Sequence, residues 1–148
     1  MAKAKKKHAF EDIILADINI TSQEIINDAK KPILATEVAE FDFKSTFTKT
    51  LDAKAGWASI EINVSVKPKL IENKKTKAEA RFIIEYLYIA PNLENFVTEN
   101  KKDGILMDGE LDEWLMQSAI STSRGLIFDK VQGTFMEGAI LPLSPPQP

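Results

Sequence analysis

Apolar and polar residues alternate with a period of two over much of residues 14–89. Ile14, Ala16, Ile18 and Ile20 alternate with Leu15, Asp17, Asn19 and Thr21, the pattern of a half-buried strand. Thr21–Pro32 is polar and reads as a connection or a short helix. Phe41, Phe43, Ser45 and Phe47 then alternate with Asp42, Lys44, Thr46 and Thr48, predicting a second strand that buries its phenylalanine face. A turn at Lys54, Ala55 and Gly56 leads into the cleanest alternation of the chain, Ala58, Ile60, Ile62, Val64 and Val66 against Trp57, Ser59, Glu61, Asn63 and Ser65. Pro68 ends that strand or places it at an edge, because proline cannot donate to a ladder. In a fourth run Phe82, Ile84, Tyr86 and Tyr88 oppose Arg81, Ile83, Glu85, Leu87 and Ile89, so it is apolar on both faces apart from Arg81 and Glu85. Such a strand lies inside the fold or has its second face covered by a partner. Pro91–Asp103 reads as a loop with a helical turn around Leu93–Val97.

After Gly109 the period changes. Leu111, Trp114, Leu115, Ala119 and Ile120 recur at spacings of three and four, with Glu110, Asp112 and Glu113 where a helix dipole favours acids and Asp108 as N-cap. The pattern predicts a helix from about 109 through Arg124 and Gly125, ending between 125 and 132, with Gly133 just past its end. Inside a helix Gly125 costs about 1 kcal/mol relative to alanine, which calls for a reason such as the close approach of another helix or a kink. Strands near 12–21, 37–51, 56–68 and 78–90 followed by one long helix predict an α+β fold, a four-stranded antiparallel sheet with the C-terminal helix packed on one face. The expected organisation is a basic tail at 1–9, one domain at 10–140, and an extended proline-rich tail at 141–148. One helix covers only part of so long a sheet, so the apolar remainder points to self-association or binding.

Composition narrows the chemistry. The 148 residues fit one domain, and 44% apolar with 28% charged residues is the balance of a soluble globular protein. With no cysteine, disulfides, thiolate metal sites and cysteine nucleophiles are excluded, which fits a reducing, cytoplasmic setting. The single histidine, His8, stands in the polar tail and leaves no material for a Ser-His-Asp triad or a multi-histidine metal site. Six scattered glycines form no phosphate loop, so no nucleotide, cofactor or metal is expected. The acids Asp103, Asp108, Asp112 and Glu113 lack the spacing of a calcium loop and read as helix capping. No run approaches the roughly 18 apolar residues of a membrane span. A net charge of −3 argues against a nucleic-acid partner, despite the lysines at 3 and 5–7 and the strand aromatics near Lys44, Lys49 and Arg81. What survives is a non-enzymatic surface for extended or unfolded chain, with Ile83, Leu87, Tyr88 and Trp114 as candidate client-binding residues near the fourth strand and the helix.

The order of four strands, a loop and a late helix resembles the SecB protein-export chaperone family, and more closely its divergent SecB-like branch. The segment from Asp12 to Thr21 is similar to the family's first strand, with apolar alternation around Asp17. The segment from Ala119 to Gly125 resembles the part of the family's long helix that ends in Ser-Arg-Gly, here Ser123, Arg124 and Gly125. Ile140, Leu141, Pro142 and Leu143 resemble the Leu-Pro-Pro element that follows it. The resemblance implies an ATP-independent holdase for unfolded polypeptides, built as a homotetramer, a dimer of dimers whose sheets join and whose helices pack between, with Ile120, Arg124 and Gly125 at the subunit contact. It also brings in protein export and the SecA motor as a partner. Two departures weigh against SecA docking: residues 126–138 separate the two motifs where the family has only a few, and Ser144–Pro148 replaces the acidic tail of the export chaperone. The other reading is an oligomeric module on the same fold dedicated to one partner, such as an antitoxin-like client.

Overall fold

The computed structural model describes residues 10–100 and 104–142. Four long strands, β1 (Ile14–Ile26), β2 (Val38–Asp52), β3 (Trp57–Leu70) and β4 (Glu79–Ile89), form one antiparallel sheet in the order β1-β4-β3-β2. A small hairpin of β5 (Val97–Asn100) and β6 (Gly104–Met107) follows, and then, among the described residues, one long helix, α1 (Gly109–Lys130). This is the α+β arrangement that the change of period predicts. The two central strands hold the core: Ala58, Ile60, Ile62, Val64 and Val66 of β3 and Ala80, Phe82, Ile84, Tyr86 and Tyr88 of β4 are all buried. They share one face because opposed residues of an antiparallel pair point the same way, as Ile62 and Ile84 do.

Helix α1 covers that face with Leu111, Leu115, Ala119, Ile120, Ser123 and Ile127. Asp108 caps it, its carboxylate accepting from the Leu111 N–H, and Glu110 and Asp112 occupy the first turn. Val131 closes the helix, and Met136, Ala139 and Leu141 then return the chain to the core. Leu141, the first residue of the tail expected at 141–148, is buried in the core; the rest of that tail from 143 on, and the tail expected at 1–9, lie outside the described residues. Gly56 sits at φ +79 in the β2–β3 turn, its carbonyl accepts a hydrogen bond of 2.7 Å from the Ala90 N–H, and a Cβ on it would lie within 3.2 Å of the Ala90 carbonyl oxygen. Turn and close approach together demand glycine there.

Three expectations change. The polar segment after Thr21 is strand as far as Ile26, since pairing with β4 supplies what its composition does not. Its alternation is interrupted twice, between Leu15 and Asp17 and between Ile20 and Ser22, so Ala16 and Thr21 are bulge residues. Leu15, Ile18, Ile20 and Ile25 consequently lie opposite core residues of β4, and Ile14 is on the other face. The loop expected at Pro91–Asp103 holds a 3-10 turn at Leu93–Phe96, as expected, but continues into the β5–β6 hairpin. Of the two readings of Pro68 the edge one holds: β3 runs on to Leu70 but pairing with β4 stops at Val66, so Pro68 has β2 on one side and, among the described residues, no strand on the other.

Beyond Ile26, Asp28 fastens two loops together. Its carboxylate accepts from the backbone N–H groups of Lys30, Lys31 and Lys77, and these bonds, the one from Lys77 first, hold it below the usual carboxylate range.

Candidate functional site

The sheet offers two faces. On the outer side, away from α1, opposed residues form cross-strand rows: Ile14, Ile89 and Trp57 at one end, Asn19, Glu85, Glu61 and Thr48 in the middle, and Glu24, Arg81, Ser65 and Lys44 towards the other end. A shallow hollow of about 500 Å³ in the last part is lined by Ser22, Glu24, Lys44, Thr46, Asn63, Ser65, Arg81 and Ile83. It is a polar surface in which Ile83 is the lone large apolar group.

The helix side is the more apolar. Helix α1 lies over β3 and β4 and fixes its register on them through two hydroxyl pairs: Tyr86 with Ser123 at 2.5 Å, and Tyr88 donating to Ser118 at 3.1 Å. Burial pushes the Tyr86 phenol up to about 12, an effect only partly offset by Ser123, and raises Tyr88 in the same sense. The flanking strands are covered less. On β2, Phe41, Phe43, Phe47 and Leu51 are half-buried against the core margin, and Lys49 in the same row reaches Asp112 of α1 at 2.5 Å. The second strand thus half-buries rather than buries its phenylalanine face, because it is the outermost strand and the helix stops short of it.

The candidate residues do not form one surface. Ile83 and Leu87 are half-buried on the outer side, separated along β4 by Glu85. Tyr88 points the other way and is 1% exposed, so its ring is core and not open surface. Trp114 is on α1, 39% exposed, beside Phe10 at 6.0 Å, while Phe10 also packs on Phe96 at 5.4 Å. Of the residues expected at a subunit contact, Ile120 is turned into the chain's own core. The Arg124 Nε–H donates to the Leu141 carbonyl at 2.7 Å and ties down the returning chain. Only Gly125 faces open space, with no atom of the described residues within 4 Å of a Cβ placed there, so no neighbour among them accounts for it. Sequence reasoning missed the exposed Ile105 and Leu106 of the hairpin and the apolar row of Ile14, Ile89 and Trp57.

The arrangement supplies apolar surface and open strand edge. Among the described residues, no group of three or more His, Asp or Glu is gathered as a metal site would be, and no helix is long and apolar enough to cross a membrane.

No family model matches the chain, and no curated protein matches it. Among solved structures it is similar to a SecB-like chaperone from Mycobacterium tuberculosis in complex with a ChAD peptide from an antitoxin, with a TM-score of 0.55 and 12% sequence identity over 88% of this chain and 89% of that one. The fold is therefore SecB-like.

Proposed function

We propose that this protein is a non-enzymatic, ATP-independent chaperone that holds unfolded or partly folded polypeptides. The observation that carries this reading is the half-buried apolar row on β2, Phe41, Phe43, Phe47 and Leu51, on a fold shared with a chaperone whose structure contains a bound peptide. Apolar side chains at alternate positions take up extended chain with little regard for sequence and require no cofactor. The setting that goes with this role is the cytoplasm, and export is one use for it. A second reading, a module dedicated to one antitoxin-like client, draws support from the antitoxin origin of the peptide on the neighbour. Light scattering separates the two. A holdase at stoichiometric amounts delays aggregation of several unrelated denatured proteins, a dedicated module delays only its own client's, and no effect on any client overturns both.

The assembly that suits this role is a homotetramer, a dimer of dimers. The outward stripe of α1, with Trp114 and Phe128 exposed on either side of Ser121 and Gly125, is the surface left for helix packing between subunits. Because the space outside Gly125 is open among the described residues, Gly125→Leu leaves the subunit fold intact by circular dichroism and acts on assembly alone. Sedimentation at micromolar concentration is expected to show smaller species, and an unchanged mass places Gly125 away from any subunit contact.

A further inference from the structure

At the end of the sheet marked by Ile26 and Leu70, lysines come together from three segments. Lys67 and Lys69 point to the outer side from the part of β3 that runs past its last pair with β4, Val66 opposite Ala80. Lys74, Lys75 and Lys77 stand on the β3–β4 connection, and Lys30 and Lys31 on the β1–β2 connection. Asp28 fastens the two connections together, its carboxylate accepting from the Lys30, Lys31 and Lys77 N–H groups at 3.0, 3.2 and 3.0 Å. Lys67, Lys69, Lys74 and Lys75 line one hollow of about 410 Å³, in which Asp42 is the one carboxylate among the described residues.

The acids of this end are already engaged. Glu40 and Asp42 share Lys69, at 3.3 and 3.4 Å, and Glu72 faces Lys74 at 3.8 Å. Glu37 accepts from the Leu34 N–H at 3.1 Å, Glu79 pairs with Arg81, and Asp28 is taken up by the backbone. Lys30, Lys31, Lys67 and Lys75 are left without a carboxylate partner among the described residues. On a chain of net charge −3 this end is a local reversal of sign.

We propose that the lysine-lined hollow docks an acidic, extended segment of a partner polypeptide. Carboxylates are the complementary charge, and lysines act on them as separate, flexible point charges. Lys67 and Lys69 lie two residues apart on one face, which is the repeat of side chains along one face of an extended chain, so acids at alternate positions match them. Pro68, Leu70 and Ala78, buried and apolar in the same lining, give the segment a surface to rest on. Nucleic acid fits less well, since the described lining offers no aromatic ring for base stacking and no arginine. The inference goes beyond the holdase reading and does not depend on it: the site is polar and charged, and stands apart from the phenylalanines of β2.

The test follows the fluorescence anisotropy of a labelled peptide of about ten residues alternating glutamate with serine, and of its glutamine counterpart, on the full chain. The glutamine peptide is expected to bind at least about tenfold more weakly, and the glutamate peptide to lose affinity as salt rises from about 0.05 to about 0.3 M. Lys67→Gln combined with Lys75→Gln is expected to weaken the glutamate peptide about tenfold. Lys54→Gln combined with Lys130→Gln, an equal loss of charge at exposed positions elsewhere, is expected to leave it unchanged. Circular dichroism checks that both double variants keep the fold. Equal affinity for the two peptides, or equal losses in the two double variants, overturns the inference. So does displacement of the glutamate peptide by an oligothymidylate or by inorganic phosphate at a lower concentration than by the unlabelled peptide, which assigns the hollow to nucleic acid or to a small anion. A chain that delays aggregation but ignores the glutamate peptide overturns this inference alone, and one that binds the peptide but delays no aggregation overturns the holdase reading alone.

Discussion

Strands β1 and β2 bound the same sheet, flank the same two core strands and each turn apolar side chains toward the helix side. On β1 those side chains are aliphatic, Leu15, Ile18, Ile20 and Ile25, and two extra residues break their spacing. On β2 they are mainly aromatic, Phe41, Phe43 and Phe47 with Leu51, and their spacing is unbroken. The contrast shows that an edge is defined by its backbone as much as by its side chains. Two inserted residues are enough to spoil a ladder, whereas an uninterrupted strand keeps it regular.

The largest effect expected separates the interior from both margins. Phe82→Ala, at a site with no exposure, should cost about 3–5 kcal/mol in urea denaturation. Phe43→Ala on β2 should cost about 1–2 kcal/mol, since only part of its surface is buried, and Ile18→Ala on β1, with 39% of its surface exposed, below about 1 kcal/mol. A loss at Phe43 as large as at Phe82 would mean that the β2 row is core, and the comparison of margins would dissolve.

The helix must stay in register over β3 and β4 for the β2 row to remain half-buried, and the Tyr86–Ser123 pair sets that register. Tyr86→Phe should cost about 1–3 kcal/mol by leaving the buried Ser123 hydroxyl without its partner, and adding Ser123→Ala should recover most of the loss. A double variant no better than the single one would remove the pair from the account. The same phenol gives an alkaline signature. Its proton is held more tightly in the folded chain than in the unfolded one, so its contribution is complete below about pH 10 and is lost as pH rises towards about 12, a fall of about 2–3 kcal/mol. Tyr86→Phe should flatten that part of a stability-against-pH curve.

The sharpest effect on the comparison comes from deleting Thr21. Ile20 and Ser22 already occupy consecutive register positions opposite Ile84 and Ile83, so the deletion preserves every face and removes one bulge. The cost includes the bond from the Thr21 hydroxyl to the Ile83 carbonyl, about 0.5–1.5 kcal/mol. Light scattering of the variant alone should show association that grows with concentration, because a straightened β1 edge becomes a template. A variant as monodisperse as the parent would show that the bulge does not guard the edge.

The central elements were legible from residue periodicity. In β3 the alternation is strict and no bulge intervenes, and in α1 the N-cap Asp108 and the three-and-four spacing mark the start unambiguously. The margins were not. A bulge leaves no mark in the residues Ala16 and Thr21 themselves, and it reversed the assignment of Ile14 and Leu15. Whether Phe43 is buried depends on β2 being outermost, and strand order is a long-range property that local alternation does not carry. Tyr88 and Leu87 illustrate the same limit: their opposite directions were readable, but which face the helix covers was not, and so one buried and one half-buried residue entered the same expected site. The β5–β6 hairpin escaped because Gly104, Ile105, Leu106 and Met107 show no alternation.

The absence of cysteine makes one measurement more direct than the rest. Single cysteines at Thr48 on β2 and, in a separate chain, at Asn19 on β1 carry the same photoreactive label, and both positions occupy the same outer-side row at opposite margins of the sheet. Each labelled chain is mixed with a denatured, unrelated client and illuminated. Capture along β2 predicts abundant cross-links from position 48 and few from position 19. Equal yields from the two margins, or a higher yield from β1, would contradict the account.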